Sequence, residues 1–302
     1  MSASSSKNNA NSSHLSVNAH ANESVNAPQD WDIGTGVKGY MWQANNPRAV
    51  LLLQHGYGEY AQRYAQQYSQ LIGHLQAQGI SVYAIDLHGH GYSSGKRGQV
   101  DVAQAVQDHL AARLKLAAQS LPIFLMGHSL GGLVTASSVV QQSEGIQGVI
   151  LSSAALDMKV PAPVRLLSQP LAKFLPSVPM QPPLKAKYLS RIDAQVNNAT
   201  NDPLMYHGSV PLQFGASLAK VSHANWPHYK KWTTPVLLMH GTKDKLVPYQ
   251  SSTRFLDTIA ASDKTLYTVE GGYHELLNDI SHDETLAQLL SWLAERLSSL
   301  TS

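Results

Sequence analysis

Gly127-His-Ser129-Leu-Gly131 sets a serine in a G-x-S-x-G frame. Four apolar residues, Ile123-Phe-Leu-Met126, run straight into it, and helix-compatible residues follow it. A strand that turns sharply into a helix holds such a serine at the tip of the turn, as a nucleophile elbow. The turn leaves no room for a Cβ on either side, and the serine takes an unfavourable backbone conformation. The chemistry on offer is nucleophilic attack. A serine hydroxyl is a poor nucleophile at neutral pH, so a histidine must accept its proton and an acid must orient that histidine.

Both partners can be found further along the chain. In an α/β-hydrolase the order is Ser, then Asp or Glu, then His. Asp244 lies just past one apolar run and His274 just past the next, each approached through glycine: Gly241 for the acid, Gly271 and Gly272 for the base. We therefore expect a triad of Ser129, Asp244 and His274. The oxyanion formed on acyl attack needs two fixed donors. One is the backbone N–H of Leu130, directly after the nucleophile. The other is the N–H of Tyr57, in the loop His55-Gly56-Tyr57. The Tyr57 ring either walls the acyl site or packs on the surface. His128 is expected to point away from the site, and His55, His88 and His90 precede Ser129 and read as loop-shaping residues. Asp263 falls at the wrong end of a strand and Asp279 follows the histidine. Asp157 is the one alternative acid.

The elements that must position these groups alternate. Trp31–Gln43 suits an antiparallel hairpin. Arg48–Gln54, Ile80–Ile85, Ile123–Met126 and Gly148–Ser152 are apolar runs of the kind buried on both faces of a parallel sheet. Between them, Tyr64, Tyr68, Leu71, Ile72 and Leu75 recur at the helical period, and Val102–Ala118 and Leu130–Gln142 read as helices. Thr234–His240 and Lys264–Glu270 resume the strands, with Phe255, Leu256 and Ile259 in a helix between them. Ser281-x-x-Glu284 predicts a capping box on the last helix. Such alternation implies an α/β fold, with ligands at the carboxyl ends of the strands. Residues 154–232 interrupt it: the segment is proline-rich, shows no obvious strand, and carries the apolar stripe Val160, Val164, Leu167, Leu171, Phe174 and Leu175, with Pro170 expected to kink or split it. The expected division is a Ser/Asn-rich disordered tail over 1–29, a hydrolase core over 30–153 and 233–302, and a helical cap over 154–232.

Composition excludes several classes. The chain has 302 residues, with 22 Lys plus Arg against 20 Asp plus Glu, too balanced for a nucleic-acid partner. It has no cysteine, which removes disulfides, thiolate metal sites and a cysteine nucleophile. No run approaches the ~20 apolar residues of a membrane span, and the N-terminus lacks the apolar core of a signal peptide. His274-Glu-Leu-Leu-Asn278 has Asn where a zinc helix needs its second His. Gly89-His-Gly91-Tyr-Ser-Ser-Gly95 has the wrong spacing for a dinucleotide loop, and there is no phosphate loop. The residues call for no metal and no cofactor.

Four motifs give the chain a family resemblance. His55-Gly-Tyr-Gly-Glu59-x-x-x-Arg63-Tyr64, Asp86-Leu-His-Gly-His90-Gly-x-Ser93-x-Gly95-x-Arg97-Gly98, the elbow itself, and Gly272-Tyr-His274-Glu-Leu-Leu-Asn278 resemble the monoacylglycerol lipase and lysophospholipase branch of the α/β-hydrolases. The resemblance runs from about Trp31 to the end of the last helix. It implies a mostly parallel eight-stranded sheet flanked by helices, with a helical lid inserted between strands 6 and 7. It implies hydrolysis of a small lipid ester through an acyl-enzyme, with monoacylglycerol as the expected substrate. The alternatives are a lysophospholipase, a short-chain carboxylesterase, a proline-type peptidase, or a non-catalytic lipid-binding protein. Glu59 and Arg63 either support the oxyanion loop near the substrate's polar head or form a structural ion pair. A cytoplasmic location is expected, with transient membrane-surface contact through the cap.

Overall fold

The computed structural model describes residues 27–300. The expected tail therefore lies outside the described residues, apart from its last three. Of these, Gln29 already pairs with Met41 in the first hairpin.

The strands, in chain order, are β1 (Gln29–Asp30), β2 (Gly39–Trp42), β3 (Ala49–Gln54), β4 (Ile80–Ile85), β5 (Ile123–His128), β6 (Ile146–Ser152), β7 (Pro179–Gln181), β8 (Val210–Pro211), β9 (Val236–Gly241) and β10 (Lys264–Val269). The helices are α1 (Arg63–Gln66), α2 (Leu71–Ala77), α3 (Val102–Ala117), α4 (Leu130–Gln141), α5 (Ala162–Phe174), α6 (Asp193–Asn201), α7 (Leu212–Asn225), α8 (Gln250–Thr258) and α9 (His282–Ser299). Eight strands form one sheet in the order β1-β2-β4-β3-β5-β6-β9-β10. The β1–β2 and β2–β4 pairs are antiparallel and all the others parallel.

Every residue of β3, β4 and β5 is buried, because helices cover both faces. One face packs Leu71 and Leu75 of α2 and Leu289 and Leu293 of α9 into a single cluster. The other packs Ala112 and Leu116 of α3, Ala136 and Val139 of α4 and Phe255 of α8. The parallel strands then end together, which brings the loops after β3, β5, β9 and β10 to one edge of the sheet.

Between β6 and β9 the chain leaves the sheet and forms α5, α6, α7 and the β7–β8 ribbon. Sequence reasoning found no strand there. The ribbon is short, and its antiparallel register Pro179↔Pro211 and Gln181↔Val210 has prolines at the ends, where a missing N–H costs least. Helix α5 runs through Pro170 without splitting. The bond that proline forfeits would end on Leu166, a residue that stands 67% exposed.

Two other expectations fail for tertiary reasons. The predicted helix from Tyr64 to Leu75 breaks at Tyr68, Ser69 and Gln70, whose φ values are 51°, 53° and 52°. Left-handed backbone costs a non-glycine residue roughly 1–2 kcal/mol. Bonds to the loop after β10 offset that cost: Tyr68 N–H donates to Asn278 Oδ1 at 2.5 Å and Ser69 Oγ to the Leu277 carbonyl at 2.8 Å. The capping box does not form either. Ser281 has ψ 34°, outside the extended range a cap requires, and its side chain bonds no helix N–H. Thr285 Oγ1 donates back to the Ser281 carbonyl instead, at 2.7 Å.

Candidate active site

Ser129 sits at the junction of β5 and α4 with φ 52° and ψ −118°. Its amide donates to the Ser152 carbonyl at 2.9 Å, which fixes the turn against β6. Both flanking glycines are required. A Cβ on Gly127 would meet the Gly131 carbonyl, and one on Gly131 would meet the carbonyls of Gln54 and His55. The strained serine backbone is thus over-determined by its surroundings, which is the condition for such strain to persist.

Asp244 follows β9 and His274 follows β10. His274 Nδ1 donates to Asp244 Oδ2 at 2.7 Å. That bond leaves Nε2 as the nitrogen able to take a proton. The other carboxylate oxygen, Oδ1, accepts the amides of Leu246 at 2.8 Å and Val247 at 3.0 Å. His240 Nε2 lies 3.2 Å from Oδ2. Burial would raise the Asp244 carboxyl, but the His274 charge and the bonds to His240 and His274 outweigh it and hold the group far below the usual carboxylate range. Burial likewise works against the His274 cation, and the Asp244 charge outweighs it, so His274 is raised above 6.5. The imidazole backbone is pinned as well: Ser153 Oγ donates to the His274 carbonyl at 2.8 Å.

Ser129 and His274 open on a single cavity of about 170 Å³, lined also by Tyr57, Leu130, His128, Glu59 and Glu275. Its remaining wall is mostly apolar, and much of it comes from the inserted segment: Met158, Val160, Met180, Leu184, Leu189, Met205, Val210, Phe214 and Leu218. The Tyr57 ring is part of this wall. It stacks on Phe214 with ring centroids 3.9 Å apart, and its hydroxyl donates to the Gly98 carbonyl at 2.9 Å. Among the described hydrogen bonds, none uses the amide of Tyr57 or that of Leu130.

Glu59 and Arg63 hold the Tyr57 loop from below. Glu59 Oε1 accepts the Gly56 amide at 2.7 Å and the Tyr64 hydroxyl at 3.0 Å, while Oε2 accepts the Tyr68 hydroxyl at 2.8 Å. Arg63 bridges Glu59 Oε2 and Glu275 Oε1, both at 3.0 Å. Asn278 Nδ2 closes the set by donating to Glu275 Oε2 at 2.7 Å. One buried network therefore ties the loop after β3 to the loop that carries His274. Burial would raise Glu275, but the Arg63 charge outweighs it and holds the carboxyl down at about 2. His55 works on the same loop: its Nε2 accepts the Leu87 amide at 3.0 Å, which leaves Nδ1 to donate to the Gly56 carbonyl at 2.8 Å.

The structure separates the remaining sequence candidates. His128 does not point away. Its ring lines the cavity 4.8 Å from the His274 ring, and burial lowers it to about 4, so it stands neutral beside His274. His90 is buried outside the cavity wall and lowered by burial to about 3. Asp157 pairs with Arg254 and Asp279 with Arg191, so neither serves the imidazole. Sequence reasoning missed His240, Ser153, Tyr68 and the role of Glu275. His240 could have been read from its place four residues before the acid. Ser153 and Glu275 act through contacts distant in the chain, and Tyr68 reaches back nine residues to Glu59 across a broken helix. Among the described residues, no group of His, Asp and Glu is arranged to hold a metal ion.

Comparison with known proteins gives a consistent result. The profile of the family described as serine aminopeptidase, S33, matches residues 45–281. The chain is 31% identical over 258 residues to a monoacylglycerol lipase of Mycolicibacterium smegmatis, covering 83% of this chain and 90% of that protein. It is 32% identical over 250 residues to a phospholipase of Bacillus subtilis, covering 81% and 95%. The crystal structure of a Paleococcus ferrophilus monoacylglycerol lipase superposes with a TM-score of 0.77 at 30% identity, covering 86% of this chain and 99% of that one. The chain belongs to the serine aminopeptidase S33 family and carries the α/β-hydrolase fold.

Proposed function

We propose that the protein is a carboxylic ester hydrolase that cleaves monoacylglycerols to glycerol and fatty acid. The observation that carries this reading is the buried Asp244–His274 pair, 2.7 Å apart, opening with the strained Ser129 on one apolar cavity. Ser129 attacks the ester carbonyl while His274 Nε2 takes its proton. Asp244 keeps the imidazole in the tautomer with Nδ1 protonated and stabilises the cation that forms. The amides of Tyr57 and Leu130 hold the oxyanion. His274 then returns the proton to the departing glycerol oxygen, leaving an acyl-enzyme. Water attacks next and its proton goes to His274, which passes it to Ser129 Oγ as the acyl–oxygen bond breaks, releasing the fatty acid and the free serine. Relatives named monoacylglycerol lipases support the substrate, and the apolar wall suits one acyl chain.

Residues 154–232 act as the lid in this reading. The face of α5 and the turn after it expose Leu167, Leu171, Phe174 and Leu175, and we assign that face to transient contact with a lipid surface. Among the described residues, no helix is long and apolar enough to cross a membrane. A peptidase reading is disfavoured by the cavity's own carboxylates. Glu59 and Glu275 are both taken up by Arg63, so neither is free to hold a substrate ammonium.

The test is Ser129→Ala, assayed by fatty-acid release from 1-monoacylglycerol. A loss of roughly 10⁴-fold or more is expected, the cost of removing a triad nucleophile. Parent-like turnover by that variant would end the proposal.

A further inference from the structure

A second cavity, of about 560 Å³, lies at the root of the inserted segment. Its wall holds Met158 and Val160, which also line the Ser129 cavity, so the two cavities share a partition. Pro161, Pro227 and Trp226 extend the apolar surface. Lys159, Arg165 and Arg254 bring positive charge to the same wall. The Arg254 guanidinium stands 4.7 Å from the centroid of the Trp226 ring and pairs with Asp157. Among the described residues, no carboxylate pairs with Lys159 or Arg165. Helices α5 and α7 contain no acid, and Asp257 of α8, three residues past Arg254, is exposed and lies outside the lining. The cavity thus keeps two cations without a counter-charge.

Apolar walls beside two free cations suit an amphipathic anion, whose charge is paired there while its chain leaves water. The proposed reaction supplies one. A monoacylglycerol is uncharged and gains nothing from Lys159 or Arg165, whereas its hydrolysis releases a carboxylate that is ionised at neutral pH. The cavity therefore discriminates product from substrate. Its place in the fold also gives an occupant leverage. Up to Met158 the chain leaving β6 is pinned: the Asp157 amide donates to Ser251 Oγ at 3.1 Å and the Met158 amide to Ser222 Oγ at 2.9 Å. None of the described hydrogen bonds uses the next two amides, those of Lys159 and Val160, and α5 begins at Ala162. An occupant of the second cavity bears on this short unpinned stretch, which also walls the Ser129 cavity.

We propose that this cavity is a second binding site for an aliphatic carboxylate of the fatty-acid product class. Lys159 and Arg165 hold the carboxylate, and Met158, Val160 and Trp226 flank the chain. Occupancy fixes Val160 and slows turnover without displacing substrate from Ser129. The identity of the carboxylate rests on the ester-hydrolase reading; the cavity and its cations do not.

The full chain carrying Ser129→Ala, which binds without turnover, is titrated with octanoate below its micellar range, with tryptophan fluorescence as the readout. Trp226 lines this cavity, and no tryptophan lines the Ser129 cavity. A saturable change is expected with octanoate, and none with octan-1-ol or inorganic phosphate at equal concentration. The apparent Kd should rise about tenfold in S129A/K159Q/R165Q, which loses the charge-assisted contacts, and hold in S129A/K159R/R165K. It should also rise with added salt, a measurement that needs no further variant. A signal that survives in S129A/W226F overturns the site, as does a Kd that neither the glutamine variant nor salt moves. An equal response to octan-1-ol or phosphate overturns the ligand class. In the active parent, octanoate should lower kcat for 1-octanoylglycerol as well as raise KM, and K159Q/R165Q should show the KM effect alone. Purely competitive inhibition of the parent refutes the link to turnover. A parent that fails to hydrolyse 1-octanoylglycerol, while its Ser129→Ala form still binds octanoate, counts against the ester-hydrolase reading and for the site.

Discussion

Replacing Arg63 by methionine would test whether the network under the active site is electrostatically coupled or merely packed. Arg63 is 3% exposed and serves two buried carboxylates, those of Glu59 and Glu275. Methionine keeps much of the volume and removes the charge. Burial raises the Glu275 carboxyl and the Arg63 charge outweighs it, so removing that charge leaves a buried carboxylate short of its main counter-charge. Breaking a buried pair by removing one partner costs about 3–5 kcal/mol. For a chain of this size that is a fall in Tm of about 6–12 °C at pH 8.

The pH dependence is the sharper signature. In the parent, Glu275 has a depressed pKa, so its contribution is present above 4.5 and is lost as pH falls towards about 2. In the variant, burial is opposed only by the Asn278 bond and the nearby His128, so the carboxyl rises well above its parent value. Its penalty is then absent at low pH and appears as pH rises through the raised value. The stability gap between parent and variant should therefore widen from pH 5 to pH 8, measured by urea unfolding at each pH. Hydrolysis should fall too, because Glu59 holds the Gly56 amide beside the proposed oxyanion donor. A variant within about 1 kcal/mol of the parent, with a gap that does not change with pH, would refute the electrostatic argument.

Three further outcomes follow from the same geometry. The activity of the parent should rise with pH through an apparent pKa above 6.5, as His274 loses its proton. In Asp244→Asn that limb should move to lower pH, since burial then outweighs the more distant Glu275 and Glu59 charges, and kcat should drop by roughly 10⁴-fold. Gly215→Leu would push into the Met180 side chain, and both residues line the cavity. A competition among monoacylglycerols of increasing length should show the variant shifted towards short chains. Leu167 and Phe174 are 71% and 82% exposed, and replacing both by Asp should cut partitioning onto lipid vesicles by about 100-fold, measured by co-sedimentation.

The alternation of apolar runs with helical periods was enough to place the parallel sheet and to set the loops after β3, β5, β9 and β10 at one edge. That information is local: two-sided burial demands continuous apolar strands, and a tight elbow demands glycines. Ser129, Asp244 and His274 could be chosen for the same reason, since each follows directly from the end of such a strand. Periodicity failed where a distant partner overrode it. Tyr68, Ser69 and Gln70 continue a helical pattern, but Asn278 and the Leu277 carbonyl, more than 200 residues away in sequence, draw them into left-handed backbone. Ser281-x-x-Glu284 spells a capping box, but the loop from His274 delivers the chain to α9 at an angle that leaves it unmade.

Sequence alone thus determined the fold class and singled out Ser129, Asp244, His274 and the two oxyanion amides as candidates, because each is marked by residues immediately around it. Tertiary structure decided the rest. It joined Glu59, Arg63 and Glu275 into one buried network, turned His128 towards His274, and laid the methionines of the inserted segment over the serine. It also set Lys159, Arg165 and Arg254 on the wall of one cavity at the root of that segment. These pairings join positions up to 212 residues apart, and their free energy exists only once the sheet has brought the loops together in a water-poor site.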